Sequence, residues 1–119
     1  MGKTLVLGAS LKPDRYSNIA VRRLKSANKK VVAFGMQKGE ISGIEIDTEL
    51  KHYEHIDTIT LYLNPYRQKI YYNYIISLRP KRVIFNPGTE NPELYQLLTE
   101  HNIAFEVGCT LVLLATDQY

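Results

Sequence analysis

Apolar residues in this chain fall into short β-rich runs that alternate with stretches of helical period. Lys3 to Leu7 is the first run; Ile19, Ala20, Val21, Leu24 and Ala27 then recur at three- and four-residue steps behind a Ser17 or Asn18 cap. The pattern predicts strand, loop, helix. Lys30 to Phe34 supplies a second strand after a turn at Asn28, and the stretch Gly35 to Gly43, broken by glycines, is expected to be an irregular loop. Ile56 to Leu63 reads as a third strand. Asn64-Pro65 caps and opens a helix with Tyr66, Ile70, Tyr71, Tyr74, Ile75 and Leu78 on one side, closed by Pro80. Arg82 to Phe85 is the fourth strand. A polar turn from Asn86 to Glu90 precedes Asn91-Pro92-Glu93, a cap with proline at the first helical position and an acid behind it, and the helix runs to about His101. Ile103 to Val107 makes a fifth strand, and Leu111 to Ala115 is either a turn of helix or a strand edge.

Strands alternating with helices imply a parallel sheet covered on both faces with right-handed crossovers, a three-layer α/β sandwich. We expect one domain over residues 1–119, with five strands in the order 3-2-1-4-5. In that order the winding switches between the first and fourth strands, and ligands collect beyond their carboxyl ends. Ser10, Arg15, Asn86 and Gly88 would then line one crevice.

The segment from Gly8 to Asn18 joins a strand to a helix start, where backbone amides are unpaired and carry the positive end of the helix dipole. Gly8 permits a tight turn, and Arg15 offers a guanidinium fork suited to phosphate. It is not the dinucleotide fingerprint, since Gly8 is the only glycine in it. Nor does the second strand end in the acidic residue that binds a ribose diol; Gly35-Met36 stands there, with Lys38 nearby, which would tolerate an extra phosphate on a ribose.

Charge and composition exclude more than they assign. Fifteen basic and twelve acidic side chains give a net charge of +3, with the cations in dispersed pairs such as Arg22-Arg23, Lys29-Lys30 and Lys81-Arg82, which argues against a nucleic-acid partner. The longest apolar run, Leu111 to Ala115, falls far short of the roughly 20 residues that span a bilayer. With no leader pattern and a single cysteine, Cys109, the chain reads as soluble and cytoplasmic. Metal-ligand spacings and a Walker lysine motif are missing from the sequence. His52 and His55 precede the third strand and His101 closes a helix, so none is expected beside Cys109 as a catalytic base.

Gly8-Ala9-Ser10 followed by Arg15 and Ser17, with Gly43 before the third strand, Gly88 after the fourth and Cys109 after the fifth, resembles the small coenzyme A-binding domain proteins. These are single Rossmann-like domains similar to the nucleotide-binding domain of the succinyl-CoA synthetase alpha subunit. The resemblance runs over nearly the whole chain and departs from the family pattern at Gly35-Met36, Asn86 and Val107-Gly108. It implies coenzyme A as the ligand, with Ser10, Arg15 and Ser17 at its phosphates and Gly8, Ala9 and Asn18 in the same binding loop. Gly35, Met36, Lys38 and Asn64, from the loops after the second and third strands, would flank its nucleotide, and Asn86 and Gly88 would lie across the crevice. Met36 and Leu63 could offer an apolar slot to adenine. The leading expectation is binding of coenzyme A or an acyl-CoA without catalysis. Alternatives are a small enzyme using Cys109 in redox or acyl-transfer chemistry, and a regulatory module that has lost its nucleotide and presents the tyrosine-rich helix to a homodimer or protein partner.

Overall fold

The computed structural model describes residues 2–119. Its centre is strand β1 (Lys3–Ala9), whose side chains alternate between two apolar layers: Leu5 and Leu7 enter one, Val6 the other. Gly8 has φ +105 and interrupts the pairing register between Leu7 and Ala9, so that Ala9 falls on the same face as Val6. Helix α1 (Tyr16–Ser26) crosses to β2 (Lys30–Gly35), which pairs parallel to β1. Strands β3 (Gly39–Ile41) and β4 (Ile44–Asp47) follow as an antiparallel hairpin, with β4 parallel to β2. Next comes β5 (Ile56–Leu61), parallel to β1 on the side away from β2.

The chain then forms α2 (Pro65–Gln68), a single 3₁₀ turn (Lys69–Tyr71) and α3 (Tyr72–Ser77). Strand β6 (Arg82–Phe85), helix α4 (Pro92–Glu100), strand β7 (Ala104–Val107) and helix α5 (Thr110–Ala115) complete it. Helix α1 packs Val21 and Leu24 with Val6, Ala33 and Ile46, and Leu114 of α5 joins that cluster. On the opposite face Ile75 of α3 and Leu94 and Leu98 of α4 pack with Leu5, Leu7, Ile59, Val83 and Phe85. The layering is therefore α/β/α, as the element order predicts.

The sheet itself corrects two expectations. Among the described residues it has seven strands, not five, in the order β3-β4-β2-β1-β5-β6-β7, and only the β3–β4 pair is antiparallel. The supposed loop from Gly35 to Gly43 contains half of the extra hairpin. Ser42 and Gly43 both have positive φ, 50 and 84, as a two-residue hairpin turn of type I′ requires, and Ile41, Ile44 and Ile46 supply its apolar side. Gly43, one of the glycines expected to break regular structure, makes the turn.

The order 3-2-1-4-5 also fails, because β4 takes the edge of β2 that the third predicted strand, now β5, was to occupy. That strand returns to the free edge of β1 instead. The helix expected from Tyr66 to Leu78 is broken by its 3₁₀ turn, which buries Tyr71 against Phe34, ring centroids 5.6 Å apart, while leaving Tyr66 82% and Ile70 78% exposed.

Candidate functional site

With β5 beside β1, the winding reverses between these two strands: the chain leaves β1 for a helix on one face and β5 for helices on the other. Beyond their carboxyl ends lies a cleft of about 740 Å³, a size that suits a cofactor-sized ligand. One wall is the segment from Gly8 to Ser17, the opposite wall Tyr62, Leu63, Asn64, Arg67 and Tyr71. Phe34, Gly35, Met36 and Gln37 close one end and Pro87, Gly88 and Thr89 the other.

The first wall is shaped by side chains sent back from α1. Asn18 donates to the carbonyl of Ser10 at 2.9 Å and accepts from Arg22 Nε, also at 2.9 Å, while Arg22 Nη2 donates to the carbonyl of Pro13 at 2.8 Å. Ser10 Oγ accepts from the Lys12 amide at 3.2 Å, and the Arg15 amide donates to the Lys12 carbonyl at 3.1 Å. The loop is thus held as two successive turns that deliver Arg15 to the start of α1. Arg15 takes the N-cap position without a side-chain cap, so the expected Ser17 or Asn18 cap is not used; both residues lie buried within the first turn. The amides of Tyr16 and Ser17 occupy first-turn positions, where the helix itself offers no acceptor.

Lys12, Arg15 and Arg67 bring three cations to the lining, and no Asp or Glu is among the described residues that line it. The carboxylate of Glu90 approaches from one end, where its Oε1 accepts from the Gly88 amide at 2.8 Å. Asn64 caps α2 by accepting from the Arg67 amide at 2.9 Å, which fixes where that helix begins on the second wall. Tyr62 lines the cleft while its hydroxyl is buried, and among the described residues that hydroxyl has no hydrogen-bond partner. The nearby hydroxyls of Thr60 and Thr110 are bonded to each other at 2.7 Å. Burial pushes the Tyr62 phenol up to about 12.

Of the residues singled out from the sequence, Gly8, Ala9, Ser10, Arg15, Ser17, Gly35, Met36, Asn64 and Gly88 come together around this cleft. Three do not line it. Asn18 is buried behind the first wall. Lys38 lies on a separate hollow with Glu40, Glu45 and Asp47, beside the β3–β4 hairpin. Asn86 is buried below the floor: its Nδ2 donates to Thr60 Oγ1 at 2.6 Å and the Leu61 carbonyl at 2.9 Å, and its Oδ1 accepts from the Thr110 amide at 2.8 Å.

Cys109 sits half-buried at the N-cap of α5, outside the cleft lining, and His101 lines a hollow at the opposite end of the sheet. The sequence reading passed over Lys12, Tyr16, Gln37, Tyr62, Tyr71 and Thr89. With β5 placed correctly beside β1, the walls drawn from the segment after Leu61 would have followed.

A mostly parallel sheet wound in opposite directions about a cationic cleft is a Rossmann-like arrangement, and the comparisons specify it further. The chain belongs to the CoA binding domain family, whose model matches residues 2–115. A crystal structure of an uncharacterized protein is 50% identical, with a TM-score of 0.97 over 100% of this chain and 98% of that one. A protein from Thermus thermophilus is 23% identical, with a TM-score of 0.85 over 99% of this chain and 91% of the other. A hypothetical protein from Pyrococcus horikoshii OT3 is 24% identical, with a TM-score of 0.84 over 92% and 79% of the two chains. The last two establish likeness of fold. No curated protein matches the chain.

Proposed function

We propose that this chain binds coenzyme A or an acyl-CoA in the cleft between β1 and β5 and does no chemistry on it. The observation that carries the reading is the coincidence, in a member of the CoA binding domain family, of a cleft at the switch in winding with three cations and the start of α1 facing into it. The pyrophosphate would sit at the Tyr16 and Ser17 amides with Arg15 beside it, and Ser10 within the same loop. The base would lie toward Met36 and Leu63.

Where an enzyme acting on NAD places a carboxylate to hold a ribose diol, this cleft presents Gly35, Met36 and Gln37, which gives an NAD ribose diol no such partner. Lysine, arginine, serine and backbone amides are groups for holding an anion. Cys109 and His101 stand apart from them. We take the whole chain as one ligand-binding domain.

Mapping amide NMR shifts during a titration with coenzyme A tests the location. The expected result is perturbation concentrated from Ser10 to Ser17, at Gly35 and Met36, and at Asn64. Perturbation confined to the β3–β4 hollow around Lys38, or none at millimolar ligand, would overturn the proposal.

A further inference from the structure

Two loops make the second wall and one end of the cleft, the segment after β5 and the segment after β6, and a buried side chain bridges the cleft-lining residues of the two. Gln68, the last residue of α2, is wholly inaccessible to solvent. Its Nε2 donates to the carbonyl of Leu63 at 2.8 Å and to the carbonyl of Thr89 at 2.8 Å. Both residues line the cleft, one in each loop. Its Oε1 is held in turn by Asn91 Nδ2 at 2.8 Å, and Asn91 Oδ1 accepts from the Leu94 amide at the start of α4. Every polar atom of the Gln68 side chain is therefore committed, and the amide plane is locked by α4 from behind.

Neither carbonyl is reached by sheet pairing, because β5 ends at Leu61 and β6 at Phe85. Without Gln68 these two buried acceptors would lose their shared donor; among the described residues no other hydrogen bond ties Leu63 to Thr89, and the Asn91–Tyr72 bond, at 2.8 Å, joins the two segments farther from the cleft. The chain also changes from α-helix to 3₁₀ turn directly after Gln68, so the position of α2, and of Arg67 upon it, depends on this anchor rather than on a continuous helix. We infer that Gln68 is a positioning residue that sets the separation of the Asn64–Arg67 and Gly88–Thr89 walls of the cleft. The inference rests on the proposed binding reading for its functional meaning, but its structural part stands on the four hydrogen bonds alone.

The test compares Gln68→Met, which keeps side-chain length and removes both donors and the acceptor, with Ile75→Val, a core change in α3 that removes no hydrogen bond. Hydrogen exchange is measured residue by residue, and coenzyme A affinity on the same samples. After correction for the global stability of each variant, Gln68→Met is expected to speed exchange at the Arg67 and Thr89 amides together by at least tenfold, leaving amides from Ser10 to Ser17 unchanged. Ile75→Val should show no such local effect. Coenzyme A affinity should fall at least tenfold in Gln68→Met and stay within twofold in Ile75→Val.

Acceleration that merely follows global stability, or that appears in one loop alone, overturns the positioning role. So does unchanged affinity in a Gln68→Met protein whose loops have loosened. If the unaltered protein does not bind coenzyme A, the binding proposal fails while the exchange result still decides the inference.

Discussion

A β-carbon on Gly35 would collide with the carbonyl oxygen of Ala9, because β1 and β2 end side by side with Ala9 paired to Gly35. The same atom would press on Ile46 Cγ2 at 3.1 Å, so backbone blocks it on one side and β4 on the other. These two residues form the floor on which the anion loop begins. Gly35→Ala is expected to destabilise the protein by about 1–3 kcal/mol, the usual range for overpacking, and to displace the Ser10 loop. Chemical denaturation checks the first outcome, and altered amide shifts at Ser10 and Lys12 the second.

Glu90 already occupies the Gly88 amide that an anionic ligand entering this end of the cleft could use. Removing the carboxylate in Glu90→Ala frees that donor and takes away a negative charge. Affinity for coenzyme A is expected to rise by about 1 kcal/mol, roughly fivefold, and to do so most at low salt. Calorimetry at two salt concentrations checks this; a loss of affinity would mean that Glu90 supports the loop more than it competes for the site.

Asn86 joins β5, β6 and the start of α5 through three bonds to buried groups. Asn86→Ala leaves the Thr110 amide and the Leu61 carbonyl without that partner. The expected cost in unfolding free energy is about 2 kcal/mol or more. The folded variant should bind with little change, since the side chain does not reach the cleft.

Tyr62 carries a buried hydroxyl that, among the described residues, has no partner. Tyr62→Phe should therefore leave stability at neutral pH unchanged or raise it by up to about 1 kcal/mol. In the folded protein the phenol is pushed above its ordinary value of 10.0 to about 12, so folding favours the protonated form. Its titration leaves stability untouched below about pH 10 and lowers it progressively as the pH rises toward about 12, where the unfolded chain ionises before the folded one. Tyr62→Phe should flatten the alkaline limb of the stability profile in that window, as followed by denaturation at stepped pH.

How much of this was legible in the sequence can be traced to particular residues. The runs that became β1, β2, β5, β6 and β7 were readable because each is a short apolar segment bounded by turn residues. Asn64-Pro65 and Asn91-Pro92 announced two helix starts that the structure keeps, with both asparagine side chains accepting from the first turn. The β3–β4 hairpin was missed because Ser42-Gly43 is a weak turn signal and only Ile41, Ile44 and Ile46 alternate around it.

That miss carried into the site. Strand order is a matter of which edge is free: the common order 3-2-1-4-5 gives the outer edge of β2 to the third predicted strand, and the unseen hairpin already fills that edge. The anion loop was legible because its chemistry is local. The second wall was not, since Gln68, Arg67 and Tyr71 acquire their roles only once β5 lies beside β1.

The central claim is that the cleft beside Arg15 takes coenzyme A. Its most direct test is a calorimetric titration of the purified protein with coenzyme A, with ADP, NAD and NADP as controls and Arg15→Ala in parallel. The account predicts saturable binding of coenzyme A in preference to the controls, weakened by about 1.5–3 kcal/mol in Arg15→Ala through loss of a charge-assisted contact. Absence of heat with coenzyme A, or binding that Arg15→Ala leaves unchanged, would contradict it.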